Sequence, residues 1–173
     1  MKAIVLVSLA ILVAACTASI PKETSTIPSV EASVSVSDFE PIIGTGWTGS
    51  LNYLDYSSGK IVEIPVELDV SVSGSQAIVY EIQYPGESQH NSKEKLVISD
   101  GGHSINGQSI VELVMNDEGI SRIVTASRGR DENRNVDIQM TYSFTGELFE
   151  IQKKVRVDGE ADWFVRNRYV LSR

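Results

Sequence analysis

The residues that could carry chemistry are few and scattered. Two histidines, His90 and His103, both stand in polar, turn-like surroundings. With no cysteine or clear carboxylate partner at ligand spacing, they make a poor metal signal and read as solvated loop histidines. Asp131-Glu132-Asn133 lies in a charged run with Arg128, Arg130 and Arg134. It lacks the glycine and distal glutamate of a calcium loop, so local charge pairing on a solvated loop accounts for it. Glu63, Glu67 and Asp69 line the polar face of one strand pattern, and a solvent face explains them. No serine stands in Gly-x-Ser-x-Gly, and no Ser-His-Asp set can be assembled. No glycine-rich loop is present to cradle a phosphate. With no nucleophile to name and no cofactor implied, the expectation is a protein that is not an enzyme.

Cys16 is the only cysteine, so an internal disulfide is ruled out. It directly follows Lys2, a minimal positive start, and an apolar run from Ala3 to Ala15 broken only by Ser8. Thirteen helical residues would span roughly 20 Å, short of the roughly 30 Å hydrocarbon core. The run therefore reads as a signal-peptide core and not as a transmembrane helix. Its end, Val13-Ala14-Ala15-Cys16, is an aliphatic residue, two small residues and a cysteine. This stretch resembles the lipobox of bacterial lipoproteins. The resemblance implies that residues 1–15 are a signal peptide, that the Cys16 thiol takes a diacylglyceryl group, and that the new amine is acylated, for example by palmitate. Two or three acyl chains anchor stably where one would not, at about 0.8 kcal/mol per buried methylene. Thr17 stands where an aspartate would favour inner-membrane retention, so the expected location is the cell envelope, in the outer membrane if the cell is Gram-negative.

Charge supports a covalent anchor. The 173 residues carry a net charge of −8, and loss of Lys2 with the leader lowers it by one. Such a surface repels phosphate backbones, so no nucleic-acid partner is expected, and it offers no polybasic hold on anionic lipid.

Residues 16–40 form the lipidated cysteine and a tether. Nine of residues 17–40 are Ser or Thr and two are Pro, with scattered apolar residues and no helical face. This composition predicts a flexible spacer, with a short edge strand through Val34 and Val36 as the alternative. Residues 41–173 form the folded domain. Segments of seven to twelve residues rich in Val, Ile, Tyr and Thr alternate with turn signals such as Ser73-Gly74, Asp100-Gly101-Gly102, Asn106-Gly107, Asn116 to Gly119, the polar run Gly129 to Asn135, and Asp158-Gly159. The period is two: Val62, Ile64, Val66, Leu68, Val70 and Val72 oppose a mostly polar set, and Val136, Ile138, Met140, Tyr142 and Phe144 oppose Asp137, Gln139, Thr141 and Ser143. That pattern means a sheet with one buried and one wet face. Pro65 within a strand pattern points to an edge, a bulge or an outward N–H. The expected fold is all-β, an antiparallel up-and-down meander closed into a barrel of 8–10 strands, with a two-sheet β-sandwich as the alternative.

The ends of the domain, Gly44-Thr45-Gly46-Trp47 and Trp163 to Arg173, resemble the closing strands of the calycin superfamily, the lipocalins and fatty-acid-binding proteins. In that group a tryptophan early in the first strand packs on an arginine late in the last. The resemblance covers 42–173 and departs from the Gly-x-Trp motif, since two residues separate Gly44 from Trp47. It implies barrel closure by Trp47 with Arg173, or with Arg168, worth about 2 kcal/mol if desolvated. Tyr53, Tyr80, Tyr84, Met140, Tyr142 and Trp163 are the candidate cavity lining. Two functions compete: an interior site for a small apolar ligand, or a filled barrel whose exterior contacts other envelope or external proteins.

Overall fold

The computed structural model describes residues 33–117 and 119–173. The leader, Cys16 and the first part of the tether lie outside the described residues. Ten antiparallel strands follow in order: β1 (Gly44–Asp55), β2 (Lys60–Val72), β3 (Ala77–Gln83), β4 (Ser92–Ser99), β5 (Ser104–Ile105), β6 (Gln108–Asn116), β7 (Gly119–Asp131), β8 (Arg134–Phe144), β9 (Leu148–Val157) and β10 (Phe164–Ser172). Each pairs with its sequence neighbours, and β1 pairs with β10, so the meander closes into a barrel and not into a sandwich.

β5 is absent from the sequence reading because two residues cannot show an alternation. The polar run after Gly129 was expected to be a loop. Instead β7 continues to Asp131, and a two-residue turn at Glu132 and Asn133, with φ of 50° and 62°, leads into β8. Positive φ at both positions is the signature of a tight hairpin turn that follows strand twist. Pro65 lies where β2 has outrun β3, whose ladder begins at Glu67↔Gln83, so the β3-facing edge is open there.

The shortness of β5 has a larger consequence. Its ladder to β4 covers only Ile98 and Ser99, and the β6–β7 ladder starts at Ser109↔Ala126. Beyond these, Ser92–Val97 of β4 and Ser127–Asp131 of β7 face each other with no ladder between them among the described residues. Over this stretch the wall lacks the ladders that β5 and β6 supply nearer the plugged end, which leaves a gap in strand pairing on the side of the barrel. The gap runs to the end of the barrel that carries the β1–β2, β3–β4, β7–β8 and β9–β10 connections, here called the mouth.

The other end is plugged. The tether was expected to reach residue 40, but Val34 is already buried, and its N–H donates to the Gly102 carbonyl at 2.9 Å. A side chain at Gly102 would meet the Val34 carbonyl oxygen at 2.5 Å, so that approach requires glycine. Residues Val36–Ile42 form a 3-10 helix, its start held by the Ser35 N–H and hydroxyl donating to Asp38 Oδ2 at 2.7 and 2.8 Å. Neither a flexible spacer nor an edge strand describes this segment. It inserts Phe39 and Ile42, both fully buried, into the closed end. Seven residues of 3-10 helix, little more than two turns, are too few to leave a helical stripe in the sequence.

Around the plug the core is aromatic. Phe39 lies 5.6 Å from Phe144, Trp47 and Tyr80 each lie 5.9 Å from Phe149, and Phe144 lies 6.3 Å from Phe149. Tilted and edge-on pairs of this kind contribute about 0.5–1.5 kcal/mol each beyond burial.

Candidate functional site: the half-open barrel interior

The closing contact is structural. Arg173 lies over the Trp47 ring at 4.4 Å from its centroid. Its guanidinium donates to the carbonyls of Gly146, Ile43 and Pro41 at 3.0, 3.1 and 2.9 Å. Trp47 Nε1 donates to the Ile42 carbonyl at 3.0 Å. One arginine thus ties the plug helix, the β8–β9 turn and the first strand together. Arg168 takes no part: it faces outward and pairs with Glu150 at 2.6 Å.

Register decides what faces inward, because residues paired across antiparallel strands share a face. Leu51 pairs with Tyr169 and Ile64, Tyr53 with Asn167 and Val62, and Met140 with Lys153 and Thr125. All of these face the interior. Near the plug the interior is filled: Trp47, Phe39, Ile42, Ile105, Phe149 and Leu171 are at most 1% exposed. Toward the mouth Leu51, Tyr53, Ile64, Met140, Lys153 and Asn167 are only half-buried. Solvent reaches them through the mouth or the side gap.

Tyrosines mark the boundary between these zones. Tyr80 is buried against Phe149, and its hydroxyl has no hydrogen-bond partner. Burial, with Tyr142 nearby, pushes its pKa well above the usual value. Tyr142 is buried too, and burial raises its pKa to about 12. The Tyr84 and Tyr169 hydroxyls lie 3.0 Å apart, joining the residue just past β3 to β10. Burial and that hydrogen bond push the Tyr169 pKa up.

The mouth carries a charge cluster that the sequence reading missed. The Asp131 carboxylate accepts from the Tyr56 hydroxyl at 2.5 Å and from Lys153 Nζ at 3.2 Å, with Arg166 Nε at 3.6 Å. Burial alone would raise the Asp131 pKa, but these hydrogen bonds and the charges of Lys153 and Arg166 hold it below its ordinary value. Burial, reinforced by Asp131, raises the Tyr56 pKa to about 12. Arg166 also lies over the Tyr56 ring at 4.2 Å and donates to the Leu54 carbonyl at 2.5 Å. Phe164 meets the same ring edge-on at 6.4 Å. Asp131 was read as a solvated loop residue; it is mostly buried because β7 extends to include it.

Trp163 was expected in the lining and is not there. A bulge between Val165 and Asn167 shifts the parity of β10, so Arg166 turns in with Phe164 while Trp163 falls outside. It sits in an exterior groove with Arg156 over its ring at 4.9 Å, and Arg156 pairs with Asp137 at 2.7 Å. His90 lies in the β3–β4 connection at the mouth and His103 in the β4–β5 connection at the plugged end, so the barrel's length separates them. Among the described residues no three His, Cys, Asp or Glu side chains gather as a metal site.

No family model matches the chain. No curated protein matches it either. Among solved structures, the crystal structure of Rv2717c from M. tuberculosis superposes with a TM-score of 0.48 and 14% identity over 79% of this chain and 95% of that one.

Proposed function

We propose that this is a lipid-anchored β-barrel that binds a small, largely apolar molecule in the mouth half of its interior. One observation carries the reading. In a barrel whose plug half is fully buried, the inward-facing Leu51, Ile64 and Met140 are only partly buried. Apolar surface left open to water inside a rigid wall is the usual signature of a ligand site. Tyr53, Tyr84 and Tyr169 offer rings and hydroxyls, and Lys153, Asp131 and Arg166 offer polar fixtures that would orient an end group. The role is binding, not catalysis.

The anchor follows from Val13-Ala14-Ala15-Cys16. The outer wall carries exposed Glu63, Glu67, Lys93, Lys95 and Arg122, which suits water and not acyl chains. The envelope is the proposed location, the outer membrane where the cell has one, with Cys16 lipidation as the attachment. Cys16→Ser should move the protein out of the membrane fraction; unchanged retention would refute the anchor.

Native mass spectrometry of protein purified from its own envelope tests the site. A bound molecule released on unfolding is expected, together with saturable uptake of a neutral naphthylamine dye that Met140→Trp blocks by filling the space. Absence of both a retained mass and dye uptake would overturn the ligand reading. It would favour the second reading, a barrel acting through its exterior. That reading has its own support: an outer-wall pocket of about 260 Å³ beside Leu148, Phe149 and Val170.

A further inference from the structure

The structure also bears on how the barrel sits on its membrane. Three connections at the plugged end are hairpins, β2–β3, β6–β7 and β8–β9, spaced around the rim. Each has a large apolar side chain beside its turn that the fold leaves in water: Val72 is 51% exposed, Met115 70% and Leu148 59%. The three residues are therefore distributed around one rim and not gathered in a single patch.

The mouth differs in its apolar residues and not in charge, since acidic side chains stand at both ends: Glu132, Asp158, Glu160 and Asp162 at the mouth turns, Asp117 and Glu147 at the plugged-end turns. The exposed apolar residues near it, Ile61 and Val165, lie together in a single groove over β1 and not around the rim. The course of the chain points the same way. Its described part begins at the plugged end, where Val34 is tied to Gly102, and Cys16 lies 17 residues before Ser33.

We infer that the plugged end is a membrane-docking face: Val72, Met115 and Leu148 enter the interfacial layer of the bilayer and the mouth points away from it. This rests on the proposed Cys16 anchor. Asp38, Glu40, Asp117 and Glu147 lie on or beside the same rim and would repel anionic headgroups, so the fitting surface is zwitterionic. Shallow burial of apolar side chains between such headgroups is how peripheral proteins hold an interface.

The test uses the chain from Cys16 onward, coupled through that thiol to a maleimide-bearing phospholipid. The vesicles are of phosphatidylcholine and phosphatidylethanolamine with brominated acyl chains. Met115→Trp and Leu148→Trp each add a reporter at the rim, and Ser58→Trp adds one at a mouth turn. Emission from either rim reporter should shift to the blue and be quenched by the bromines, while the Ser58→Trp reporter keeps its emission. Rim reporters that stay unshifted and unquenched in folded protein would overturn the docking face, and so would equal quenching at both ends. The synthetic lipid replaces any cellular acylation. Failure here therefore speaks to the rim, whereas fractionation of Cys16→Ser speaks to the anchor.

Discussion

The two halves of this barrel are built from the same alternating strands and end in different states. Near the plug, side chains from β1, β8, β9 and the 3-10 helix interdigitate, and Trp47, Phe39 and Phe149 are at most 1% exposed. Toward the mouth, the same inward faces continue through Leu51, Tyr53 and Met140, but no plug meets them and they remain half-buried. What differs is closure. The plug supplies Phe39 and Ile42 to one end, while β5 is too short to wall the other. A barrel interior is filled or open according to what enters it, not according to the pattern of its strands.

That contrast can be broken by truncation. Phe149→Ala should cost about 3–5 kcal/mol, because it opens a cavity among Trp47, Tyr80 and Phe144. Met140→Ala, whose site already meets solvent, should cost distinctly less. Urea unfolding of the two variants measures the difference, and equal costs would mean that the halves are equally packed.

Arg173→Ala should follow, at roughly 1–2 kcal/mol: about 0.5–1 kcal/mol for a cation–π contact whose arginine stays exposed while Trp47 is buried, with the rest from lost donors to three carbonyls. Arg168→Ala, which loses only a partly exposed pair with Glu150, should stay within about 1 kcal/mol. A thermal melt of each variant distinguishes closure by Arg173 from closure by either arginine.

At the boundary, Tyr80→Phe should stabilise by about 1–3 kcal/mol, since it removes a buried hydroxyl that has no partner. A loss of stability would show that the hydroxyl is satisfied in solution.

pH separates the halves most gently. Tyr80, Tyr142 and Tyr169 have pKa values raised by burial in the folded state. Their contribution is intact below the unfolded tyrosine value of about 10 and is lost as pH rises past it. Asp131 has a depressed pKa, so its contribution is intact above the unfolded value of about 3.9 and is lost as pH falls through the folded one. Denaturant midpoints across pH should therefore fall at the alkaline limb, less in Tyr80→Phe, and at the acid limb, less in Asp131→Asn.

Much of this was legible in the residues. Alternation along Val62–Val72 and Val136–Phe144 separates an inner from an outer face, and the structure has those faces inside and outside. The parity of Trp47 and Arg173 allowed their meeting. Three features were not legible. Val34 and Phe39 look like stray apolar residues in a Ser-rich tether until a barrel end exists for them to fill. The bulge in β10 leaves no mark in composition, yet it exchanges Trp163 for Arg166 on the inner face. Asp131 reads as one of a run of loop charges until β7 carries it beside Tyr56, Lys153 and Arg166.

The sequence by itself determined what depends on near neighbours: the period of the strands, the positions of most turns, the polar outer wall, and a cysteine set behind an apolar run. Side-chain period is a local property of the backbone, so it can be read in a window of a few residues. The tertiary structure alone decided which end is plugged, where the wall gapes and which charges turn inward. Each of those depends on a register or contact between residues far apart in the chain, as between Arg173 and Pro41 or Arg166 and Leu54.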